Sequence, residues 1–139
     1  MRVVPELYCF DIQRSKDFYV DILGFRVKYE RPSEAFVFLT RYGVDLMLEG
    51  LNSDGRRWIT GALEYPLGRG VNLQWDTSDI DLLFSHVKSH APDSIYLTIE
   101  RKEYACDGES VIQKQFVVQD PNGYLIRFCE NETESLTPA

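Results

Sequence analysis

Residues 11–25, with the sequence DIQRSKDFYVDILGF, decide how the first half of this chain is interpreted. Asp11 is a good helix N-cap, because its carboxylate accepts a hydrogen bond from a backbone N–H of the first turn. Gly24 stands where a helix C-cap glycine belongs, since glycine adopts the left-handed backbone there without strain. The residues between them form one helical stripe, which consists of Ile12, Ser15, Tyr19 and Ile22, flanked by Phe18 and Leu23. The stretch therefore predicts an amphipathic helix.

Segments with the character of β-strands lie on both sides of this helix. Residues 3–10 precede it, and three segments follow it, at residues 25–30, 35–40 and 44–49. The turns between these three segments contain Pro32-Ser33 and Tyr42-Gly43, which are residue types that favour chain reversal. The first half of the chain therefore predicts a strand, a helix and three further strands.

The same order returns in the second half of the chain. A strand is predicted at residues 71–75, and the helix after it begins at Ser78 with Asp81 and stops at Pro92. Its apolar side is formed by Ile80, Leu83, Phe84, Val87 and Ala91. Three more strands are predicted at residues 95–104, 111–119 and 124–130. The last two are joined by Asp120-Pro121-Asn122-Gly123, a strong turn sequence.

A strand, a helix and three strands that occur twice are an internal repeat, so the sequence predicts an α+β fold of two βαβββ repeats. We expect a single domain over residues 1–130, with repeat one at about 3–51, a linker at 52–69 and repeat two at about 70–130. Residues 131–139 form a polar C-terminal tail. Two such sheets placed side by side predict a cup-shaped mixed sheet with the helices outside, whose concave side would hold a ligand.

Composition narrows the classes of function. The formal net charge of −7 disfavours nucleic acid as a partner, because DNA binding depends on Lys and Arg that neutralise phosphates. It suits a cationic small molecule, although it also serves solubility. No run of about 18 apolar residues exists, so no membrane span is expected. The three cysteines include no C-x-x-C pair, so neither a zinc site nor a disulfide framework is indicated. Because reduced cysteines and no membrane span are expected, we expect a cytoplasmic location.

Several sequence pieces, in this order, resemble the vicinal-oxygen-chelate superfamily, which includes glyoxalase I, extradiol dioxygenases, and fosfomycin- and bleomycin-resistance proteins. The helix DIQRSKDFY of residues 11–19 with DILGF of 21–25 resembles its first helix, and DPNGYLI of 120–126 resembles its final hairpin. The pieces most similar to bleomycin-resistance-like proteins are residues 4–7, 29–32, 45–49, 68–74 and 115–120. The resemblance implies the glyoxalase/bleomycin resistance fold over about residues 3–130.

The resemblance also implies where a metal ion would be bound in metal-dependent members, and these positions are occupied here by Val4, Met47, Asn72 and Arg127. Valine has no lone pair to donate, and arginine is cationic at any working pH. Methionine prefers soft metals, and a single asparagine binds weakly. We therefore expect neither a metal site nor a cofactor. The two histidines, His86 and His90, lie four residues apart on the second predicted helix and are interpreted as exposed.

Alternation along the strands indicates which residues would line the cup. If the four metal-ligand positions point into it, then Glu6, Tyr8, Asp45, Glu49, Gln74, Leu125 and Cys129 do too. Aromatic residues on strands or in the glycine-rich linker supply further candidates. The residues predicted to contact a ligand are Glu6, Tyr8, Phe36, Phe38, Met47, Glu49, Trp58, Asn72, Gln74, Trp75, Tyr104 and Arg127.

No catalytic residues are predicted, because the chain lacks a G-x-S-x-G nucleophile motif and neither histidine lies on a cup strand. The leading hypothesis is a metal-independent protein that sequesters a cationic, aromatic antibiotic of the bleomycin type. The resemblance implies that this ligand lies in a groove of a homodimer. A second hypothesis is a metal-dependent lyase, isomerase or dioxygenase that uses Glu6, Glu49 and Gln74 as displaced ligands. A third is a regulatory module whose cup is filled by its own side chains.

Overall fold

The computed structural model describes residues 1–53 and 55–132. The chain forms two compact units. Unit 1 consists of Met1–Leu67 together with Asp120–Gly123, and unit 2 consists of Gly68–Gln119 together with the described residues from Tyr124 to Glu132. Each unit holds one four-stranded sheet. Within the described residues, no helix is both long and apolar enough to cross a membrane.

Unit 1 follows the predicted order of a strand, a helix and three strands. Strand β1 spans Glu6–Cys9, helix α1 spans Ile12–Asp17 and continues as a π-helical turn over Phe18–Ile22, and β2, β3 and β4 span Arg26–Arg31, Phe36–Arg41 and Val44–Gly50. The strand order is β1-β4-β3-β2, with β1 parallel to β4 and the other pairs antiparallel. Asp11 caps α1 by accepting a hydrogen bond from the Arg14 backbone N–H at 3.1 Å, as predicted.

Unit 2 repeats this arrangement. Strand β5 spans Asn72–Asp76, α2 spans Ile80–His90, and β6, β7 and β8 span Ile95–Cys106, Glu109–Gln119 and Leu125–Asn131. The strand order is β5-β8-β7-β6, and β5 is parallel to β8. The two predicted βαβββ repeats are thus confirmed.

The start of α2 differs from the prediction. The N-cap position is Asp79 rather than Ser78. The carboxylate of Glu130 on β8 accepts a hydrogen bond from the Ile80 backbone N–H at 3.1 Å. An acceptor from a distant strand therefore satisfies one of the first N–H groups, which local sequence does not reveal.

Each sheet has one face packed against its helix, called here the helix face, and the opposite face is called the open face. In unit 1 the helix face is aliphatic, and its fully buried side chains include Val37, Leu39, Leu46 and Leu48. In unit 2 it is aromatic: the Phe128 ring stacks on Phe116 at 5.3 Å, and Phe84 of α2 meets Phe116 edge-on at 5.2 Å. Burial of these side chains supplies the main stabilisation of each unit.

The Asp120–Gly123 turn joins two strands of unit 2 but belongs to unit 1. The Asp120 carboxylate accepts a hydrogen bond from the Tyr19 hydroxyl at 2.7 Å, and the Asn122 side-chain amide donates to Ser15 Oγ at 2.9 Å. All four side chains are buried. Gly123 has a φ of +105°, and a Cβ there would lie 2.5 Å from Pro66, so this close approach requires glycine. Besides reversing the chain, the turn therefore forms buried hydrogen bonds to side chains of the first helical segment.

Candidate functional site

The open face of unit 1 collects six of the residues predicted to contact a ligand. Register pairs them across three strands in two rows, Glu6–Met47–Phe38 and Tyr8–Glu49–Phe36. Because alternate residues of a strand point to the same face, these six side chains share the face opposite α1. The next row on β4 begins with Asp45, whose carboxylate forms an ion pair with Arg2.

Tyr29 of β2 joins this face, although the sequence analysis did not select it. Its ring stacks on Phe38 with centroids 5.1 Å apart and lies 6.0 Å from Phe36. A β-bulge between Val27 and Tyr29 shifts the register, so that Val27 pairs with Leu39 on one side and Tyr29 with Phe38 on the other. Simple alternation would place Val27 and Tyr29 on the same face, and the bulge separates them. Three aromatic rings therefore form one cluster.

Cationic side chains of the protein lie over these rings. The Arg31 guanidinium is 4.0 Å from the centroid of Phe36, and Lys28 Nζ is 5.3 Å from that of Phe38. Arg31 is also ion-paired with Glu34 at 2.7 Å, in an exposed position. An exposed cation–π contact is worth only about 0.5–1 kcal/mol, so a flat ligand ring can displace these side chains at low cost.

Glu49 is the most unusual residue of this face. Its side chain is only 5% exposed, and its carboxylate has no hydrogen-bond or ion-pair partner among the described residues. Burial raises its pKa above the ordinary glutamate value, the negative charge of Glu6 raises it further, and Arg57 opposes both. A carboxylate on a side chain this buried, with no hydrogen-bond partner among the described residues, is costly, so the position suits a donor that a ligand would supply.

The linker after β4 lies against Glu49. A Cβ on Gly55 would be 2.3 Å from Glu49 Oε1, so the linker backbone passes close to the carboxylate. The Trp58 backbone N–H donates to the Tyr8 hydroxyl at 2.9 Å, while its side chain is 67% exposed. Arg57 donates to the Gly50 carbonyl at 3.2 Å. The glycine-rich linker thus forms one wall beside the carboxylate, and Trp58 stands at its edge.

The open face of unit 2 holds a different set of predicted residues. Asn72 and Gln74 on β5 are exposed, and Gln74 pairs in register with Arg127 of β8. The Arg127 guanidinium donates from Nη2 to Gln74 Oε1 at 2.8 Å, and its Nε is buried without an acceptor. No ion pair of Arg127 occurs within the described residues.

A second polar group on this face surrounds Gln115, which the sequence analysis did not select. Its side chain is 4% exposed, and its amide donates to Glu100 at 2.9 Å and to the Tyr104 hydroxyl at 3.0 Å. Tyr104 is half-buried, and its hydroxyl is held by Gln115. The run QFVVQ gave no polar pattern that would have singled out Gln115 in advance.

Trp75 requires a correction. It pairs in register with Phe128, and the two rings meet at 5.9 Å in an edge-on geometry. Trp75 is buried on the helix face, while its neighbour Gln74 lies on the open face. Strand alternation accounts for this placement, and Trp75 is part of the core rather than a candidate ligand contact.

The two buried cysteines, Cys9 and Cys129, do not supply nucleophiles. Burial raises the pKa of the Cys9 thiol to about 12 and also raises that of Cys129, so both remain neutral thiols at working pH. Cys106 is exposed, and all three are free thiols. His86 and His90 stack on each other at 4.2 Å on α2, away from the sheet faces. Within residues 1–53 and 55–132, no cluster of three or more His, Cys, Asp or Glu could hold a metal ion.

The family model "Glyoxalase/Bleomycin resistance protein/Dioxygenase superfamily" matches residues 3–128. The chain belongs to this superfamily. A search of curated proteins gives no match. The match confirms the resemblance found in the sequence, and it covers both units.

The chain is also similar to solved structures, and the likeness to those with a TM-score above 0.5 concerns the fold. A glyoxalase/bleomycin resistance protein/dioxygenase superfamily member from Vibrio splendidus 12B01 is 56% identical, with 93% of this chain and 97% of that chain covered and a TM-score of 0.44. A glyoxalase/bleomycin resistance protein/dioxygenase from Alicyclobacillus acidocaldarius is 21% identical over 98% of this chain and 95% of that chain, with a TM-score of 0.66. TioX from Micromonospora sp. ML1 is 21% identical over 94% and 95%, with a TM-score of 0.67.

At the four positions where the resemblance implies a metal ion in metal-dependent members, the residue types of this chain do not fit a divalent ion. Val4 offers no donor atom, and Arg127 brings a positive charge that already donates to Gln74. Met47 offers a thioether and Asn72 a single amide, neither of which favours a hard divalent cation. We therefore derive no reaction step through a metal at these positions.

Proposed function

We propose that this superfamily member is a metal-independent binding protein that captures a cationic, aromatic small molecule, of the bleomycin type, without modifying it. The ligand would occupy the open face of unit 1. The observation that supports this proposal is the buried Glu49 carboxylate, which lacks a partner in the described chain and lies beside Glu6.

A cationic donor on the ligand would supply what Glu49 lacks. A protonated amine or guanidinium would form a charge-assisted hydrogen bond, which is roughly twice as strong as a neutral one. The second carboxylate, Glu6, adds attraction to the same cation. Because both groups carry like charge, an arriving cation relieves their repulsion as well as the desolvation of Glu49.

The aromatic part of the ligand would lie over the cluster of Tyr29, Phe36 and Phe38. Ring contacts of this kind contribute about 0.5–1.5 kcal/mol per pair beyond burial. To reach Phe36, the ligand must displace Arg31, whose own contact is exposed and weak. The linker with Trp58 forms the edge of the site, so Trp58 is placed to report ligand entry.

Two parts of the proposal concern the assembly and the location. Homodimer formation is proposed from the resemblance, and light scattering tests it, because a dimer has twice the chain mass of 16.1 kDa. A cytoplasmic location is supported by three free cysteines, since thiols persist in reducing compartments.

The direct test is a titration of intrinsic Trp fluorescence with metal-free bleomycin. We expect a saturable change in Trp58 emission, lost in Trp58→Phe, and an affinity that falls as salt rises because the attraction is electrostatic. Absence of any change at micromolar bleomycin would refute the bleomycin version of the proposal.

A matched pair of variants tests the role of the carboxylate. Glu49→Gln should weaken binding about tenfold, because it removes a charge-assisted hydrogen bond. Glu30→Gln is the control: it changes the net charge equally, but Glu30 is paired with Lys16 at 2.8 Å. Equal loss in both variants would show that only overall charge matters, and Glu49 would have no special role.

The competing hypothesis of an enzyme with displaced ligands is tested separately. Glu6 and Glu49 are electrostatically coupled, which would also suit a cation-binding pair. Metal analysis of protein purified without chelators should find no stoichiometric divalent ion. A stoichiometric ion that is lost in Glu49→Gln would favour the enzyme and overturn the proposal of capture without chemistry.

A further inference from the structure

The open face of unit 2 contains a partly buried cation that the described chain does not neutralise. The Arg127 guanidinium makes one hydrogen bond, from Nη2 to Gln74, and its Nε is buried without an acceptor. Gln74 offers only a neutral amide oxygen. Gln74 Nε2 in turn lies 3.4 Å from the carboxylate of Asp76, which is exposed.

Apolar side chains lie beside Arg127, and they strengthen the attraction between its positive charge and an anion. Its register partner on β7 is Val117, which is buried, and Leu125, two residues before it on β8, is half-buried. Apolar neighbours lower the local dielectric, so that an unpaired charge interacts strongly with any counter-ion. Gln115, the other buried polar side chain of this face, already bonds to Glu100 and Tyr104 and does not compete for a ligand.

We propose that Arg127 and Gln74 form an oxyanion-binding site on the open face of unit 2, separate from the cation site of unit 1. Nη1 of the guanidinium has no hydrogen-bond partner in the described chain and is not among its buried unsatisfied atoms. It would donate to one oxygen of a carboxylate or phosphate. Nη2 and the Gln74 Nε2 would donate to a second oxygen of the same group. Arginine is suited to this role because its planar fork matches two oxygens at once.

The test uses inorganic phosphate and succinate as probes, each against chloride at matched ionic strength. Phenylglyoxal modifies accessible guanidinium groups, and peptide mapping reports the rate at Arg127 in the wild-type chain. A probe at ten times its dissociation constant should slow modification of Arg127 about tenfold. Arg101, which is ion-paired with Glu132 at 2.6 Å on the same unit, serves as the internal control and should keep its rate.

Variants give a second readout. Arg127→Gln should abolish the probe-induced rise in Tm, Arg127→Lys should retain part of it, and Glu49→Gln should leave it unchanged. Protection by phosphate alone assigns a phosphate ester, protection by succinate alone assigns a carboxylate, and protection by both assigns the shared oxyanion chemistry. If neither probe protects Arg127, or if Arg101 is protected equally, the site does not exist, whatever the outcome for bleomycin.

Discussion

The open faces of the two units have the same backbone plan and different chemistry. The row Glu6–Met47–Phe38 of unit 1 corresponds to Gln74–Arg127–Val117 of unit 2, and the row Tyr8–Glu49–Phe36 corresponds to Asp76–Cys129–Gln115. Unit 1 presents carboxylates and aromatic rings. Unit 2 presents a guanidinium, amides, a neutral thiol and the exposed carboxylate of Asp76. Each face holds one charged group, buried in unit 1 and half-buried in unit 2, that lacks an ion-pair partner in the described chain.

This difference teaches that the repeat determines where side chains point, while the individual residues determine what a face can bind. The helix faces are conservative by comparison, since Leu7 and Trp75 occupy equivalent positions and both are buried. A helix face must be apolar because the helix packs against it and buries it, whereas an open face can carry polar side chains. Duplication of one unit can therefore yield two unrelated sites.

The largest effect on the free energy of unfolding should come from substitutions in the cores of the two units. Phe128→Ala is expected to lower the free energy of unfolding by about 4 kcal/mol, because it removes a ring that contacts both Phe116 and Trp75. Leu48→Ala, in the aliphatic core of unit 1, should cost about 3 kcal/mol. Urea denaturation followed by circular dichroism measures both. If Phe128→Ala lowers the free energy of unfolding less than Leu48→Ala does, the expectation that the aromatic side chain contributes more to stability is contradicted.

A smaller effect is expected at the buried turn of unit 1. Tyr19→Phe removes the 2.7 Å hydrogen bond to Asp120 without changing the ring and should cost about 1–3 kcal/mol, because a buried carboxylate loses a donor. Tyr96→Phe on the exposed surface is the matched control and should be nearly neutral. Equal urea midpoints for the two variants would remove the structural role assigned to the Asp120–Gly123 turn.

The partnerless carboxylate of unit 1 should reduce stability. Since the folded state raises the pKa of Glu49, it binds more protons than the unfolded state between the ordinary and the raised value, and stability falls as pH rises through that range. Glu49→Gln should therefore stabilise the ligand-free protein at pH 7 by about 1 kcal/mol and have less effect at pH 4. Thermal unfolding at both pH values measures this. A variant that is less stable than wild type at pH 7 would contradict the interpretation.

The smallest effect concerns the thiols. One thiol per chain should react rapidly with a disulfide reagent in the native state, because Cys106 is exposed whereas Cys9 and Cys129 are buried with raised pKa values. All three should react in denaturant. Rapid native reaction of Cys129 would show that the open face of unit 2 is less closed around Gln115 than described. Cys106→Ser, which should show no rapid phase, is the control.

Much of the fold was predictable, because its signals are local. The cap at Asp11, the apolar stripe of α1 and the alternation along β4 each depend on a few neighbouring residues, and each led to the element that the structure has. Tyr29 was not among the predicted ligand contacts, because a bulge changes strand parity without a sequence signal. The prediction that Trp75 contacts a ligand failed because Trp75 was selected for its aromatic side chain. Strand alternation places Gln74 on the open face and therefore places Trp75, the next residue, on the helix face.

The sequence by itself determined the two βαβββ repeats and the superfamily resemblance, because spacing and residue type are sufficient for these conclusions. Only the tertiary structure decided that Glu49 is buried with no hydrogen-bond or ion-pair partner among residues 1–53 and 55–132, and that Arg127 meets an amide instead of a carboxylate. The cost of a charge depends on the neighbours that remove water from it and on those that return a hydrogen bond. These neighbours come from other strands and from the linker, at sequence distances that no local pattern reports.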